Sequence, residues 1–137
     1  MKTRLIFTSL LFCAIIIFSA CKKEKIDTSV FFVASYSVTE SWNENSVPFT
    51  KPSFTMSVEK STVSPEKILL KNFGNYGAGV AVEAIVNEYN ITINKQTLAN
   101  MKDITGTGYL KDMSLTITYT ETSGSNSISV TTTANKQ

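Results

Sequence analysis

The sequence has no histidine, only three prolines and only two cysteines in 137 residues. Without histidine, the commonest ligand of zinc and copper sites and the usual base of a nucleophilic triad are both missing. Basic and acidic residues number 13 and 11, so the chain lacks the cationic excess by which proteins neutralise nucleic-acid phosphates. These absences predict no metal site, no cofactor, no nucleic-acid partner and no enzyme activity.

The long apolar run lies at the N-terminus, from Leu5 to Ala20, and it follows the basic residues Lys2 and Arg4. It is shorter than the ~20 residues of a spanning helix and is typical of a signal-peptide core. The run ends in Phe18-Ser19-Ala20-Cys21. An ordinary cleavage site would have a small residue in place of Phe18.

A bulky apolar residue, two small residues and a cysteine, in that order, resemble the lipobox of bacterial lipoproteins. The resemblance implies cleavage between Ala20 and Cys21, transfer of a diacylglycerol to the Cys21 thiol, and acylation of the new terminus with a fatty acid such as palmitate. Two or three acyl chains give a stable membrane anchor. The alternative is an uncleaved membrane anchor with an incidental cysteine.

The residue after the cysteine is Lys22. Lipoproteins of Gram-negative bacteria are commonly retained in the inner membrane by aspartate at that position, so the resemblance implies the outer membrane, on either face. Cys13 leaves with the signal peptide, and Cys21 alone cannot form an intrachain disulfide. The predicted organisation is therefore a signal peptide at 1–20, a lipidated tether at 21–29 and a single β domain at 30–137.

Apolar and polar side chains alternate with a period of two from Val30 onward, which predicts about eight short strands joined mostly by tight turns. Residues 40–51 contain Asn, Ser and Pro48 and are predicted to form a loop, while residues 95–102 fit a short helix or a loop. Gly106 and Gly108 share the predicted inward face, which indicates a bend or a close backbone approach.

Sequential hairpins predict an all-β antiparallel meander with one buried face. Closing the sheet removes exposed edges, so a small up-and-down barrel is favoured and a two-sheet β-sandwich is the alternative. A transmembrane barrel is not favoured, because its strands need ~9 to 11 residues and an apolar outer band. The predicted outer face here is Thr, Ser, Lys and Glu.

Over residues 30–133 the chain resembles small lipocalin-like lipoproteins of Gram-negative bacteria. The segments that carry the resemblance are Tyr36-Ser-Val-Thr-Glu-Ser-Trp42, Ile68-Leu-Leu-Lys-Asn-Phe73, Ile91-Thr-Ile93 followed by Gln96, Ile104-Thr-Gly-Thr-Gly108, and Leu115-Thr-Ile-Thr-Tyr119. The resemblance implies a lipocalin-like meander barrel on a lipid tether, and it brings no catalytic residue.

Few side chains suggest chemistry. The glycine-rich segment 74–79 lacks the Lys-Ser/Thr pair of a phosphate loop and is interpreted as a hairpin loop. Glu40 and Glu44 could pair as glycosidase carboxylates, but they are interpreted as solvated loop residues. Trp42 is either a rim aromatic that contacts a ligand or a plug that closes the barrel, and Tyr76 is a second rim candidate.

The sequence thus predicts a non-catalytic, lipid-anchored envelope protein whose barrel binds a small apolar or saccharide ligand or an envelope protein. The alternative is a structural or accessory subunit of an outer-membrane complex, with a filled barrel and no ligand. An eight-stranded interior can be filled by side chains or can hold one small ligand, so the strand count leaves both possibilities open.

Overall fold

The computed structural model describes residues 26–137, so the predicted signal peptide, the cleavage position and Cys21 lie outside the described residues. Eight antiparallel strands form a closed barrel in which each strand pairs with its sequence neighbours and the last pairs with the first. The prediction of an all-β meander barrel is confirmed. The strands are β1 Ala34–Glu44, β2 Val47–Lys60, β3 Lys67–Lys71, β4 Ala81–Asn87, β5 Asn90–Thr97, β6 Asp103–Lys111, β7 Ser114–Ser123 and β8 Asn126–Lys136.

The barrel interior is filled by the apolar side chains of the predicted alternation. These side chains point inward from the strands and are nearly inaccessible to water, and Phe32 of the N-terminal segment and Phe73 of the β3–β4 loop pack with them. The largest are Tyr36, Tyr119, Phe32, Phe73, Met56, Ile68, Leu70, Ile91, Ile93, Ile104, Leu115 and Ile117. Burial of this apolar surface is the main stabilising contribution to the fold. Within residues 26–137, no helix is long and apolar enough to cross a bilayer.

The meander gives the barrel two different ends. The β1–β2, β3–β4, β5–β6 and β7–β8 connections lie at one end, which we call the upper end. The residues before β1, the remaining connections and the C-terminus lie at the other, which we call the lower end.

A short N-terminal segment covers the lower end. Its 3-10 turn, Thr28–Phe31, is capped by Asp27, whose carboxylate accepts a hydrogen bond from the Ser29 amide at 3.1 Å. The next residue, Phe32, is buried, and its carbonyl accepts a hydrogen bond from the Tyr36 hydroxyl at 2.8 Å. The barrel is therefore closed at this end by its own chain.

The first strand begins at Ala34, not at Val30 as the alternation predicted. The side chain of Asp27 offers the following amides a local partner, and this favours a capped turn over an extended strand. The alternation from Val30 to Val33 is therefore not a strand signal.

The predicted loop over residues 40–51 is also wrong, because β1 and β2 form one long hairpin there. Its turn consists of Asn45 and Ser46, which both have positive φ, as a two-residue hairpin turn requires. In the described chain the β2–β3 register covers only Ser57–Lys60, so the first part of β2 has a partner strand on one side. Proline is tolerated in such an edge segment, which explains Pro48.

The ambiguous residues 95–102 continue β5 to Thr97 and then form a loop. The side chain of Gln96 takes the place of a neighbouring strand for Glu83 of β4. Its amide oxygen accepts from the Glu83 N–H at 3.0 Å, and its amide nitrogen donates to the Glu83 carbonyl at 2.8 Å. The backbone groups of Glu83 are thus satisfied beyond the end of the short β4–β5 register.

Candidate functional site

A glutamate side chain lies inside the upper end of the barrel. Glu40 follows Tyr36 and Val38 on the inward face of β1 and is 1% exposed. One carboxylate oxygen accepts hydrogen bonds from the Tyr119 hydroxyl and the Thr132 hydroxyl, each at 3.2 Å, and the other accepts from Lys51 Nζ at 2.9 Å. A buried charge needs such partners, because desolvation of an isolated carboxylate is very costly.

A β-bulge places Lys51 opposite this carboxylate. The β1–β2 register pairs Val38 with Phe54 and then Glu40 with Lys51, so β2 carries one extra residue at Pro52–Ser53. In an unbroken register Pro52 would oppose Glu40, and Lys51 would face outward. The bulge therefore turns a lysine into the barrel at the position that neutralises Glu40.

A second ion pair lies beside the first. Glu121, at the upper end of β7, is 7% exposed and contacts Nζ of Lys102 from the β5–β6 loop. Its other carboxylate oxygen accepts a hydrogen bond from the Tyr76 hydroxyl. The site thus contains two carboxylates and two ammonium groups, with no net formal charge.

The loop between β3 and β4 brings Tyr76 between the two lysines. Its ring centroid lies 5.3 Å from Lys51 Nζ and 4.8 Å from Lys102 Nζ, which is cation–π range. Positive φ values at Asn72, Gly74 and Asn75 curl the loop over the barrel mouth. Lys51 Nζ also donates to the Gly74 carbonyl at 2.7 Å, so the loop is fastened to the charged site.

A cavity of about 300 Å³, open to solvent at the upper end of the barrel, is lined by these groups. Its polar lining consists of Glu40, Lys51, Tyr76, Lys102, Tyr119 and Glu121, and its apolar lining consists of Trp42, Ile128 and Val130. The volume is at the small end of the roughly 300–1,000 Å³ range of ligand sites. It suits a ligand that combines an apolar face with hydroxyl groups.

The protonation behaviour of the site follows from its burial. Desolvation raises the pKa of the Glu121 carboxyl; the charge of Lys51 opposes this shift and that of Glu40 adds to it. Burial, with the carboxylate of Glu40 as a further cause, raises the pKa of the Tyr119 hydroxyl far above its ordinary value. Tyr119 therefore remains a neutral hydrogen-bond donor to Glu40.

The two aromatic residues singled out in the sequence, Trp42 and Tyr76, line this same cavity. Trp42 is half-buried, packs against the core and stacks on Phe49 with centroids 5.7 Å apart. Tyr76 is half-buried and hydrogen-bonded through its hydroxyl. Their roles in ligand binding stay predictions.

The charged residues of the site were not identified from the sequence. Glu40 was interpreted as a solvated loop residue together with Glu44, and this is wrong for Glu40, whereas Glu44 is exposed at the end of β1. The signal was present, because Glu40 continues the even-numbered inward face between Val38 and Trp42. Lys51 could not be found by alternation, because the bulge reverses the parity of β2.

Within residues 26–137, no three Asp, Glu, His or Cys residues are grouped closely enough to hold a metal ion. The charged cluster of the site is instead two carboxylates that each contact a lysine.

No family model matches the sequence, and no curated protein matches it. A solved structure that is similar belongs to a "putative outer membrane protein" from Bacteroides fragilis. It is 21% identical, with a TM-score of 0.51, and the match covers 82% of this chain and 54% of that one. The chain thus spans about half the length of that protein. At this identity, what the two proteins share is the barrel fold.

Proposed function

We propose that the protein is a non-catalytic, lipid-anchored envelope lipoprotein whose upper cavity binds a small polyhydroxylated ligand such as a saccharide. The observation that supports it is the cavity itself, which combines an indole wall with two half-buried ammonium groups that retain hydrogen-bonding capacity. The same lining offers no triad and no histidine base, which supports binding over catalysis.

The charges of the cavity favour a saccharide over a purely apolar ligand. An ammonium group carries three hydrogens, and Lys51 and Lys102 each donate two hydrogen bonds within the protein. Each lysine thus has one hydrogen left for a ligand oxygen, and such charge-assisted bonds are strong. The face of Trp42 provides the apolar surface against which the C–H side of a sugar ring would pack.

The anchor part of the proposal is supported by the lipobox sequence at Phe18-Ser19-Ala20-Cys21 and by the name of the Bacteroides fragilis protein, which points to the outer membrane. Expression in a Gram-negative host with a palmitate analogue should label the protein and place it in the outer-membrane fraction. Cys21→Ser should abolish labelling. Labelling that survives this substitution would show that the anchor is not a lipid on Cys21.

The single tryptophan of the chain makes the ligand proposal easy to test. A soluble chain of residues 21–137 with Cys21→Ser is titrated with a panel of mono- and disaccharides while Trp42 fluorescence is followed. Native mass spectrometry of the same sample detects a retained ligand. We expect at least one saccharide to shift the emission of Trp42, with saturation.

Matched lysine variants show whether the bound molecule lies in the cavity. Lys102→Met removes one of the two cavity ammonium groups, and it should weaken binding by removing about 1.5–3 kcal/mol of charged hydrogen bonding. Lys67→Met is the control, because Lys67 forms its ion pair with Glu83 on the outer surface. Equal effects of the two substitutions, or no response to any saccharide, would contradict the proposal.

The second candidate function is an accessory subunit of an outer-membrane complex that binds no ligand. It is favoured by the interior below the cavity, which is filled by side chains, and by the mutual pairing of the four charged residues. Under this alternative, cross-linking in intact cells would capture one envelope protein reproducibly, and Trp42 would respond to no saccharide.

A further inference from the structure

Exposed apolar side chains gather at the lower end of the barrel. Most of the large apolar residues that the fold leaves exposed belong to the N-terminal segment, to the lower connections, or to β6 where it approaches its lower end: Ile26, Val30, Phe31, Val33, Val63, Tyr89, Tyr109 and Met113. The other exposed large apolar residues, Val47, Phe49 and Met101, lie at the upper end. A clustered apolar surface of this kind indicates a contact with a partner or with a membrane.

Contacts within the lower end hold these residues in place. Phe31 stacks on Tyr89 with centroids 5.9 Å apart and an interplanar angle of 17°. The Phe31 carbonyl accepts from Lys136 Nζ at 2.6 Å, and the Lys136 amide donates to the Met113 carbonyl at 2.9 Å. The side chains of Phe31 and Tyr89, which are 42% and 56% exposed, thus form an ordered surface.

We propose that this lower surface docks on the lipid bilayer, with Phe31, Tyr89 and Met113 inserted among the headgroups. The inference rests on the proposed lipid at Cys21. Ile26 lies five positions after Cys21, so even a fully extended chain spans at most about 18 Å between them. A lipid on Cys21 therefore keeps the lower end, and not the upper, next to the bilayer.

The chemistry of the surface suits the bilayer interface. Tyrosine is enriched there because its ring is apolar and its hydroxyl remains hydrated, and lysine can extend its ammonium toward the aqueous side. Lys111 and Lys136 lie among the apolar side chains, but Glu88 and Asp112 lie in the adjacent turns. Since these four charges balance, docking of this surface depends on apolar insertion.

The orientation can be measured by quenching from lipids that carry bromine on their acyl chains. A chain of residues 21–137 contains the whole barrel and a single thiol, which is coupled to a maleimide lipid in phosphatidylethanolamine–phosphatidylglycerol vesicles. One sample keeps Trp42; the other carries Tyr89→Trp together with Trp42→Phe. We expect quenching and a blue shift of the Tyr89→Trp reporter and neither for Trp42.

Because the lipid is attached chemically, this test is independent of processing in cells and of saccharide binding. Equal absence of quenching at both positions would overturn the docking, and stronger quenching of Trp42 would show the opposite orientation. Self-association of the uncoupled chain that Phe31→Ser abolishes would also overturn it, because the surface would then bind a second copy.

Paired substitutions provide a second, independent measurement. For the Cys21→Ser chain, Phe31→Ser should lower the partition coefficient onto vesicles severalfold, since the exposed 42% of this side chain is the part that would be buried among the headgroups. Met113→Ser at the lower end and Met101→Ser at the upper end form a matched pair. Only Met113→Ser should weaken binding to vesicles. An equal effect of Met113→Ser and Met101→Ser contradicts the proposal. Circular dichroism verifies that each variant is folded.

Discussion

At Glu40 the barrel contains a carboxylate where its strand pattern would place an apolar side chain. The position is nearly inaccessible to water, and the carboxylate receives hydrogen bonds from Lys51, Tyr119 and Thr132. A well-packed apolar group of the same size is often as stabilising as a buried ion pair. Stability alone therefore does not require charges at this position, which agrees with the proposed binding role.

The dependence of Glu40 on Lys51 can be measured directly. Lys51→Met leaves the carboxylate buried without its cation, which should lower the free energy of unfolding by ~3 kcal/mol, the usual cost of breaking a buried pair. Adding Glu40→Leu removes the unpaired charge and should recover most of that loss. Urea denaturation of the two single variants and the double variant measures the coupling.

The surface pair of Lys67 and Glu83 is the control for this cycle. Lys67→Met should cost less than ~1 kcal/mol, because exposed ion pairs contribute little. If Lys51→Met lowered the free energy of unfolding by as little as Lys67→Met, water would have to reach Glu40. That result would disprove the burial of the site.

The raised pKa of Glu121 predicts a pH dependence of stability. Its carboxyl binds a proton more tightly in the folded than in the unfolded chain, so the contribution of Glu121 to stability is fully present below its ordinary pKa of 4.5 and is lost as the pH rises through the raised pKa. Glu121→Gln should flatten this fall. Free energies of unfolding in urea, measured from pH 4.5 to neutrality, provide the test.

The two carboxyls with lowered pKa values, Asp27 and Asp103, do not interfere in that range. Hydrogen bonds from Lys60 and Ser29 lower the pKa of Asp27, and those from Thr97 and Lys95 lower the pKa of Asp103. The contribution of these two carboxylates to stability is fully present above pH 3.8, the ordinary pKa of aspartate, and is lost as the pH falls below that value. An unchanged slope between pH 4.5 and neutrality in Glu121→Gln would therefore disprove the assignment.

At the scale of elements, the pattern of alternation predicted which residues form strands, but tertiary features changed where strands begin and end. Residues 40–51 look like a loop because Asn, Ser and Pro48 are turn formers. The hairpin forms nevertheless, because its polar side chains face water and its prolines lie on an edge segment or at a bulge. A bulge adds one residue to a strand but leaves no signal in the amino-acid composition. The inward position of Lys51 was therefore not predictable from the sequence.

Of the two interpretations of the inward glycines of β6, a bend or a close backbone approach, the structure shows the close approach. A Cβ added to Gly106 would lie 2.6 Å from the Thr118 carbonyl oxygen and 2.8 Å from the Tyr119 Cα, both of which are backbone atoms of β7. Neither atom can move without disturbing the β6–β7 register. Glycine is therefore required at this position by packing.

We expect Gly106→Ala to lower the free energy of unfolding by ~1–3 kcal/mol, the usual cost of overpacking. Gly79→Ala is the matched control, because no atom lies within 4 Å of its added Cβ. The control should change stability by less than ~0.5 kcal/mol. Thermal and urea unfolding measure the stability of both variants. Equal losses of stability in Gly106→Ala and Gly79→Ala would contradict the prediction.

At the scale of the whole molecule, closure of the barrel was predictable and the cavity was not. Short alternating strands with one polar face must bury the other face and avoid free edges, and a closed meander does both. The cavity depends on where the β3–β4 loop lies and on which lysines reach the interior. Both depend on contacts between residues far apart in sequence, such as Lys51 with Gly74.

Closure also predicts the effect of truncation. Residues 130–136 of β8 pair with β1, so deleting residues 131–137 would open most of the β1 edge and the lower part of the β7 edge. Open edges recruit other chains. We expect the truncated protein to lose cooperative unfolding and to elute as large oligomers in size-exclusion chromatography.

Deletion of Gln137 alone removes one backbone hydrogen bond, to Ser35 at 3.0 Å, and should leave a monomer. A monomeric, cooperatively unfolding chain without residues 131–137 would show that the β1–β8 seam is dispensable.

That same hydrogen bond between Gln137 and Ser35 shows that the C-terminus lies at the lower end, beside the start of β1. A fluorescent protein or affinity tag fused after Gln137 would thus be placed between the barrel and the proposed bilayer, where it would interfere with docking. Labels are better inserted at the opposite end, in the Asn45–Ser46 turn or beside Gly124, where φ is positive and the chain is exposed. A tag compared at the two positions would report which face of the protein the cell leaves accessible.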